Sequence, residues 1–164
     1  MVRPEAGHPA RESIMKKLLI LALLTVPAFA ATRGTPAEAK AMLAKAVAHY
    51  KKVGRTQAIA DFNSGSSPWK DRDLYVWCTT SDGVIRANAG FPTFVGSSTA
   101  TWKDVTGKSL GKATWDALKK RNNGSIQYQW INPVTRKMEP KISFFEKVAN
   151  DLACSVGAYN APRQ

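Results

Sequence analysis

Two periodicities divide the chain. Between Thr35 and Gly54, Met42, Leu43, Ala46, Val47 and Tyr50 recur every three or four residues, which puts them on one stripe of an amphipathic helix. Thr35 stands three residues before Glu38, the spacing of a capping box, and Pro36 takes the first helical position, where a missing N–H is harmless. Gly54 ends that helix. "RTQAIADFN" then predicts a short second helix with Ile59 and Phe62 inward, closed by "NSGSSP".

From residue 73 the period becomes two. "DLYVWCTT" and "VIRAN" predict strands on either side of a Ser81-Asp82-Gly83 turn. "SIQYQWI", "MEPKISFFEKV" and "DLACSVGAYN" predict three more, the first two joined by "NPVTRK". Between these groups, residues 89–124 form a connection rich in Gly, Ser and Thr, with a short helix at "ATWDALKKR". A connection that long in a compact domain has a function or walls something off. One long helix and five mostly antiparallel strands predict an α+β domain with a single sheet.

Strand parity constrains the two cysteines. Cys78 shares a face with Leu74 and Val76, and Cys154 with Leu152 and Val156, so both thiols lie on apolar faces. A disulfide between them is expected, the more so because the chain carries an export leader. "MKKLLILALLTVPAFA" has two lysines, an apolar run and Ala28-Phe29-Ala30, the pattern of a secretory signal peptide cleaved after Ala30. Residues 1–14 precede it as an upstream extension or a start-codon artefact. The expectation is a single domain over residues 31–164, in the periplasm or secreted, where disulfides persist. The apolar run is far shorter than the ~20 residues of a membrane-spanning helix.

Charge narrows the partners less than it first suggests. Loss of residues 1–30 removes four cations and two carboxylates, lowering the formal charge from +12 to +10. The lysines are scattered, and the densest run is "KKR" at 119–121, so a solvated basic surface is expected. Tyr75, Trp77, Tyr128 and Trp130 could stack bases, but no nucleic-acid motif accompanies them, and no nucleic-acid partner is expected. His49 is the one histidine after the leader. It leaves no metal cluster and no imidazole base for a serine or threonine nucleophile, and "TGKSLGK" is one residue short of a phosphate-binding loop. No enzyme activity and no cofactor are expected.

Four segments in order, "KKVGRTQAIADFN", "DLYVWCTTSDGVIRANAG", "YQWINPVTRKMEPKISFFEKV" and "CSVGAYN", resemble the single Cache domains, extracytoplasmic sensor modules related to the PAS fold. The resemblance covers most of the chain after the leader. It implies a long N-terminal helix packed on a five-stranded antiparallel sheet, and a pocket between the sheet's other face and the long connection. Family members bind small organic molecules, often short carboxylates, and most form the outer part of chemoreceptors or histidine kinases. This chain looks like a free-standing exported form, expected to be a monomer, which binds a small organic acid and serves a membrane-bound receptor or histidine kinase. The alternative is an accessory module that docks on a membrane sensor and has a vestigial pocket. Many relatives carry His followed by Gly or Pro at the end of the second strand, whereas Asn88 stands here in "RANAG" and offers only neutral contacts.

The candidate site follows from that pocket. Tyr128 and Trp130 share a face of the third strand with Ile126, and Lys141 shares one of the fourth with Ser143 and Phe145. Lys141 would meet a carboxylate, Tyr128 would donate a hydrogen bond and Trp130 would form a wall. The bland alternative makes both aromatics ordinary core and lets Lys141 snorkel to solvent. Phe91, Phe94 and Trp102 either line the pocket or pin the connection, and Tyr75 and Trp77 form the pocket floor or the seat of the first helix. Asn132-Pro133 is expected to be a simple turn.

Overall fold

A computed structural model describes residues 1–2, 33–105, 107 and 109–159. The leader and its cleavage site therefore lie outside the described residues. Helix α1 (Pro36–Asn63) starts where the capping box places it: Thr35 Oγ1 accepts from the Glu38 N–H at 3.2 Å, and Glu38 accepts from the Thr35 N–H at 2.7 Å. Gly54 sits inside α1 with φ 79° and ψ 173°, a conformation that only glycine adopts cheaply. The two expected helices therefore follow one another across a break in helical backbone at Gly54. His49 and Asp61 tie the two together across the break with a 2.6 Å contact.

The strands are β1 (Lys70–Asp71), β2 (Leu74–Thr80), β3 (Ile85–Asn88), β4 (Asn123–Ile131), β5 (Met138–Ala149) and β6 (Leu152–Tyr159). All pairings are antiparallel, in the order β1-β2-β6-β5-β4, with β3 also on β2. Val76 N–H donates to Trp69 O while Val76 O accepts from Ala89 N–H, so β1 and β3 lie end to end on one edge of β2. The sheet has six strands rather than five because β1 is two residues long, too short to show any periodicity. Two short 3-10 turns, Pro92–Phe94 and Thr99–Thr101, and helix α2 (Leu110–Leu118) occupy the connection from β3 to β4. α2 begins before the segment "ATWDALKKR" that predicted it.

Strand alternation gives the sheet two unlike faces. On one, Leu74, Val76, Cys78, Leu152, Cys154, Val156 and Ala158 pack against Ala39, Met42, Leu43, Ala46, Val47, Ala58 and Phe62 of α1. Cys78 and Cys154 are register partners there and form a disulfide. The opposite face carries Tyr75 and Trp77 from β2, Tyr159 from β6, Lys141, Ser143 and Phe145 from β5, and Tyr128 and Trp130 from β4. Tyr75 and Trp77 therefore do not seat the first helix; they point away from it.

Candidate functional site

Lys141 stands at the centre of that second face. It pairs with Tyr128 on one side and Tyr159 on the other, so a lysine in an inner strand is flanked by two phenols. The side chain is 1% exposed and does not snorkel. Its stem crosses β6 at Gly157, where an added Cβ would stand 2.1 Å from Lys141 Cε and 2.6 Å from Ser143 Oγ. Glycine at that position is what allows the ammonium to reach β2. Lys141 Nζ donates to Tyr75 Oη at 2.7 Å and to Tyr159 Oη at 3.3 Å, and lies 4.0 Å and 4.6 Å from the centroids of those two rings. Tyr159 in turn donates to Ile131 O at 2.7 Å.

The electrostatics of this arrangement are unbalanced. Loss of water pushes Lys141 down to about 7 from its ordinary 10.5, and the field of Asp73 offsets only part of that shift. Burial raises Tyr75, Tyr128 and Tyr159 above their usual range, so the phenols remain neutral at physiological pH and cannot neutralise the lysine. Among the described residues, no ion pair involves Lys141. Two of its N–H groups are held by tyrosines, and among the described residues no carboxylate meets the ammonium when it is protonated.

Aromatic rings bridge the same region. Tyr75 meets Phe91 with centroids 5.6 Å apart, Phe91 meets Phe94 at 5.5 Å, Phe94 meets Trp102 at 4.6 Å, Trp102 stacks on Trp130 at 5.2 Å, and Trp130 meets Tyr128 at 6.2 Å. This series leaves the sheet at β2 and returns to it at β4. It spans the intervening β6 and β5, roughly 14 Å at the usual strand spacing. Phe91, Phe94, Trp102 and Trp130 are half-buried. The three connection aromatics thus both pin the connection and arch across the part of the sheet that holds Lys141.

The remaining expected site residues have defined places. Asn88 pairs with Trp77 on the same face, but its Oδ1 accepts from the N–H groups of Gly90 at 3.2 Å and Phe91 at 2.9 Å, which shapes the start of the connection. Tyr128 shares a 2.9 Å hydrogen bond with Ser143 Oγ. Trp77 belongs to a buried cluster with Tyr75, Tyr159 and Ala89, against which Phe91 and Trp130 pack. Asn132 is more than a turn residue. It is wholly buried, receives the N–H groups of Val134 and Thr135 on Oδ1, and donates from Nδ2 to Asp73 at 3.2 Å and Glu139 at 3.1 Å.

Sequence reasoning missed Tyr159, Gly157 and Gly90. Parity could have found the first two, since Ser155, Gly157 and Tyr159 alternate with the half-cystine Cys154 and must share the face opposite to it. Gly90 has no such marker: a Cβ there would stand 2.5 Å from the Tyr75 ring, a contact made by tertiary packing alone. The acidic network was also invisible. Asp73 accepts from Gly34 N–H at 2.6 Å and Glu139 pairs with Arg33 at 2.6 Å, which ties the entry to α1 to the strand ends just before Tyr75 and Lys141. A groove of about 400 Å³ between α1 and the β4 end of the sheet, lined by Lys40, Leu43, Arg121 and Phe144 among others, shares no residue with the Lys141 cluster.

Comparison with known proteins bears on this geometry. The family model for the single Cache domain 2 matches residues 15–160. A methyl-accepting chemotaxis protein from Vibrio parahaemolyticus RIMD 2210633 superposes with a TM-score of 0.65 at 21% identity, covering 75% of this chain and 86% of the other. A Cache chemosensory domain described in terms of carboxylic acid recognition gives 0.58 at 17% identity, covering 76% and 88%. A periplasmic sensor domain of a chemotaxis protein gives 0.57 at 17% identity, covering 76% and 90%. No curated relative matches the sequence significantly. Among the described residues, no helix is long and apolar enough to cross a membrane.

Proposed function

The chain belongs to the single Cache domain 2 family, and from that premise we propose that it is a sensor-type binding domain for a small organic acid, which it holds without transforming. The observation that carries this reading is Lys141: a buried ammonium with two phenol contacts and, among the described residues, no carboxylate partner. An inner-strand lysine is costly to leave unpaired, and a ligand carboxylate would supply the missing charge and accept the remaining N–H. Tyr75 and Tyr159 hold the ammonium in place, while Phe91, Phe94, Trp102 and Trp130 give the acid's carbon chain an apolar enclosure. Tyr128 completes the wall beside Lys141, and Asn88 acts through the turn that sets Phe91. Recognition of carboxylic acids by a structurally similar Cache domain agrees with this chemistry.

The same reading places the domain outside the cytoplasm, in the periplasm or secreted, after cleavage of residues 15–30, with a membrane-bound receptor or histidine kinase as its partner. The test is isothermal titration calorimetry of the protein expressed from residue 31 with acetate, propionate and, as a control of opposite charge, ethylamine. The acids are expected to bind and the amine not to, and Lys141→Met is expected to abolish binding of the acids. Equal silence toward all three compounds would favour the accessory module with a vestigial pocket.

A further inference from the structure

The protons around Lys141 cannot all be placed if the lysine stays charged. Tyr159 gives its hydroxyl proton to Ile131 O at 2.7 Å, and Tyr128 shares a 2.9 Å bond with Ser143 Oγ. Tyr75, itself buried, has two neighbours for its proton among the described residues: Tyr159 Oη at 3.4 Å and Lys141 Nζ at 2.7 Å. The first lies beyond the usual O–H···O range. An ammonium has no lone pair and cannot serve as the second, so beside a charged lysine the Tyr75 proton lacks a good acceptor, at the cost of a buried unsatisfied donor. A neutral amine places every proton. Its lone pair takes the Tyr75 proton along the 2.7 Å contact, and one of its N–H groups still reaches Tyr159 Oη at 3.3 Å.

Resting on the reading of Lys141 as the carboxylate anchor, we infer that above neutral pH the ligand-free domain holds Lys141 as a neutral amine, and that each organic acid anion binds together with one proton taken from solvent. The anion and the proton enter together, the amine becomes the ammonium that the carboxylate pairs with, and the Tyr75 proton leaves the nitrogen. The surroundings keep that proton within reach without forcing it on. Burial among Tyr75 of β2, Tyr128 of β4 and Tyr159 of β6 disfavours the charge and brings Lys141 down to about 7; the rings of Tyr75 and Tyr159 and the field of Asp73 favour it. The phenols themselves are raised and stay neutral. Asp73 accepts from Gly34 N–H and Asn132 Nδ2, and Glu139, on the lysine's own strand and face, is paired with Arg33, so no ion pair joins either carboxylate to the amine. Phe91, Phe94 and Trp102 of the connection do not titrate, and α1 lies on the opposite face. At a fixed acid concentration, occupancy therefore falls as pH rises through neutrality, and the domain reports the acid and the acidity together.

The inference is tested by calorimetry of propionate binding at pH 6 and pH 8.5, each in two buffers of different ionisation enthalpy, whose difference counts the protons taken up. About one proton is expected at pH 8.5 and close to none at pH 6. Affinity is expected to fall about thirtyfold between them, because above about 7 the observed constant loses tenfold per unit until the bound lysine titrates. NMR of the ligand-free protein labelled with ¹³C at lysine Cε gives an independent reading: the resonance absent from Lys141→Met shifts with a midpoint near 7, and propionate moves that midpoint upward. Should the variant not fold, the proton count on the wild type decides alone. No proton uptake at pH 8.5 with equal affinity at both pH values, or a Lys141 midpoint near the ordinary 10.5 in the free protein, overturns the inference and leaves the carboxylate anchor standing. Absence of propionate binding at pH 6 as well as at pH 8.5 removes both.

Discussion

The two faces of this sheet are made by alternate residues of the same strands, yet they obey opposite rules. Toward α1, β2 and β6 present Leu74, Val76, Cys78, Leu152, Cys154 and Val156, a continuous apolar surface locked by a disulfide. Toward the long connection, they and β5 present Tyr75, Trp77, Lys141, Ser143 and Tyr159, equally buried but, among the described residues, holding a lysine without a counter-ion and an indole N–H without an acceptor. Burial of apolar area explains the first face completely. It does not explain the second, where a lysine is buried among phenols with no ion pair among the described residues. The helix side is apolar packing, and the other side buries polar groups at a cost in stability.

The largest expected effect breaks the helix face. Replacing Cys78 and Cys154 together by alanine is expected to lower stability by about 4 to 5 kcal/mol in the chain-entropy account, given their 76-residue separation. Urea unfolding measures the loss. Acid affinity of the protein still folded should not change, because both sulfurs face away from Lys141; a large fall in affinity would mean that the faces are not independent.

Lys141→Met tests the other face and has the opposite sign. In the unfolded chain the lysine titrates near 10.5 and in the folded protein near 7, so between those values the unfolded chain binds more protons and wild-type stability rises with pH. Below about 7 the burden of the buried charge is present in full. The Met variant should therefore be more stable than the wild type at pH 6, by roughly 1 to 4 kcal/mol, and lose that advantage by pH 10. Unfolding curves at pH 6, 8 and 10 check this, and a variant less stable than wild type at pH 6 would show that the ammonium contributes to the fold.

Gly157→Ala sharpens the comparison more gently. Its methyl would collide with the lysine stem, so a loss of about 1 to 3 kcal/mol from overpacking is expected together with weaker acid binding. Unchanged affinity in a destabilised variant would place the lysine elsewhere in the bound state. Thr35→Ala, at the N-terminus of α1, is the smallest change: about 1 kcal/mol from the lost cap, seen as a lower melting temperature with affinity intact.

Helices, strands and the division of the sheet into faces were legible because each rests on local chemistry that repeats. The Thr35 to Glu38 box marked the start of α1 to the residue, and parity alone put Cys78 and Cys154 on apolar faces. Where the pattern was too short or the cause was distant, the residues were silent. β1 has two residues, too few to repeat a pattern. Asn132 looked like a turn residue since Asn-Pro is a turn dipeptide; its contacts with Asp73 and Glu139 come from segments far off in the chain.

By itself, the sequence determined the class of fold, the order of its elements and which side chains share a face, all consequences of periodicity and capping within a few residues. Only the tertiary structure decided that Gly157 opens a path for the Lys141 stem, that two tyrosines from other strands receive its ammonium, and that among the described residues no carboxylate joins them. The reason is physical: whether a charge is solvated, paired or stranded depends on every group that surrounds it in space, and those groups come from four strands and a connection that have no neighbourhood until the chain has folded.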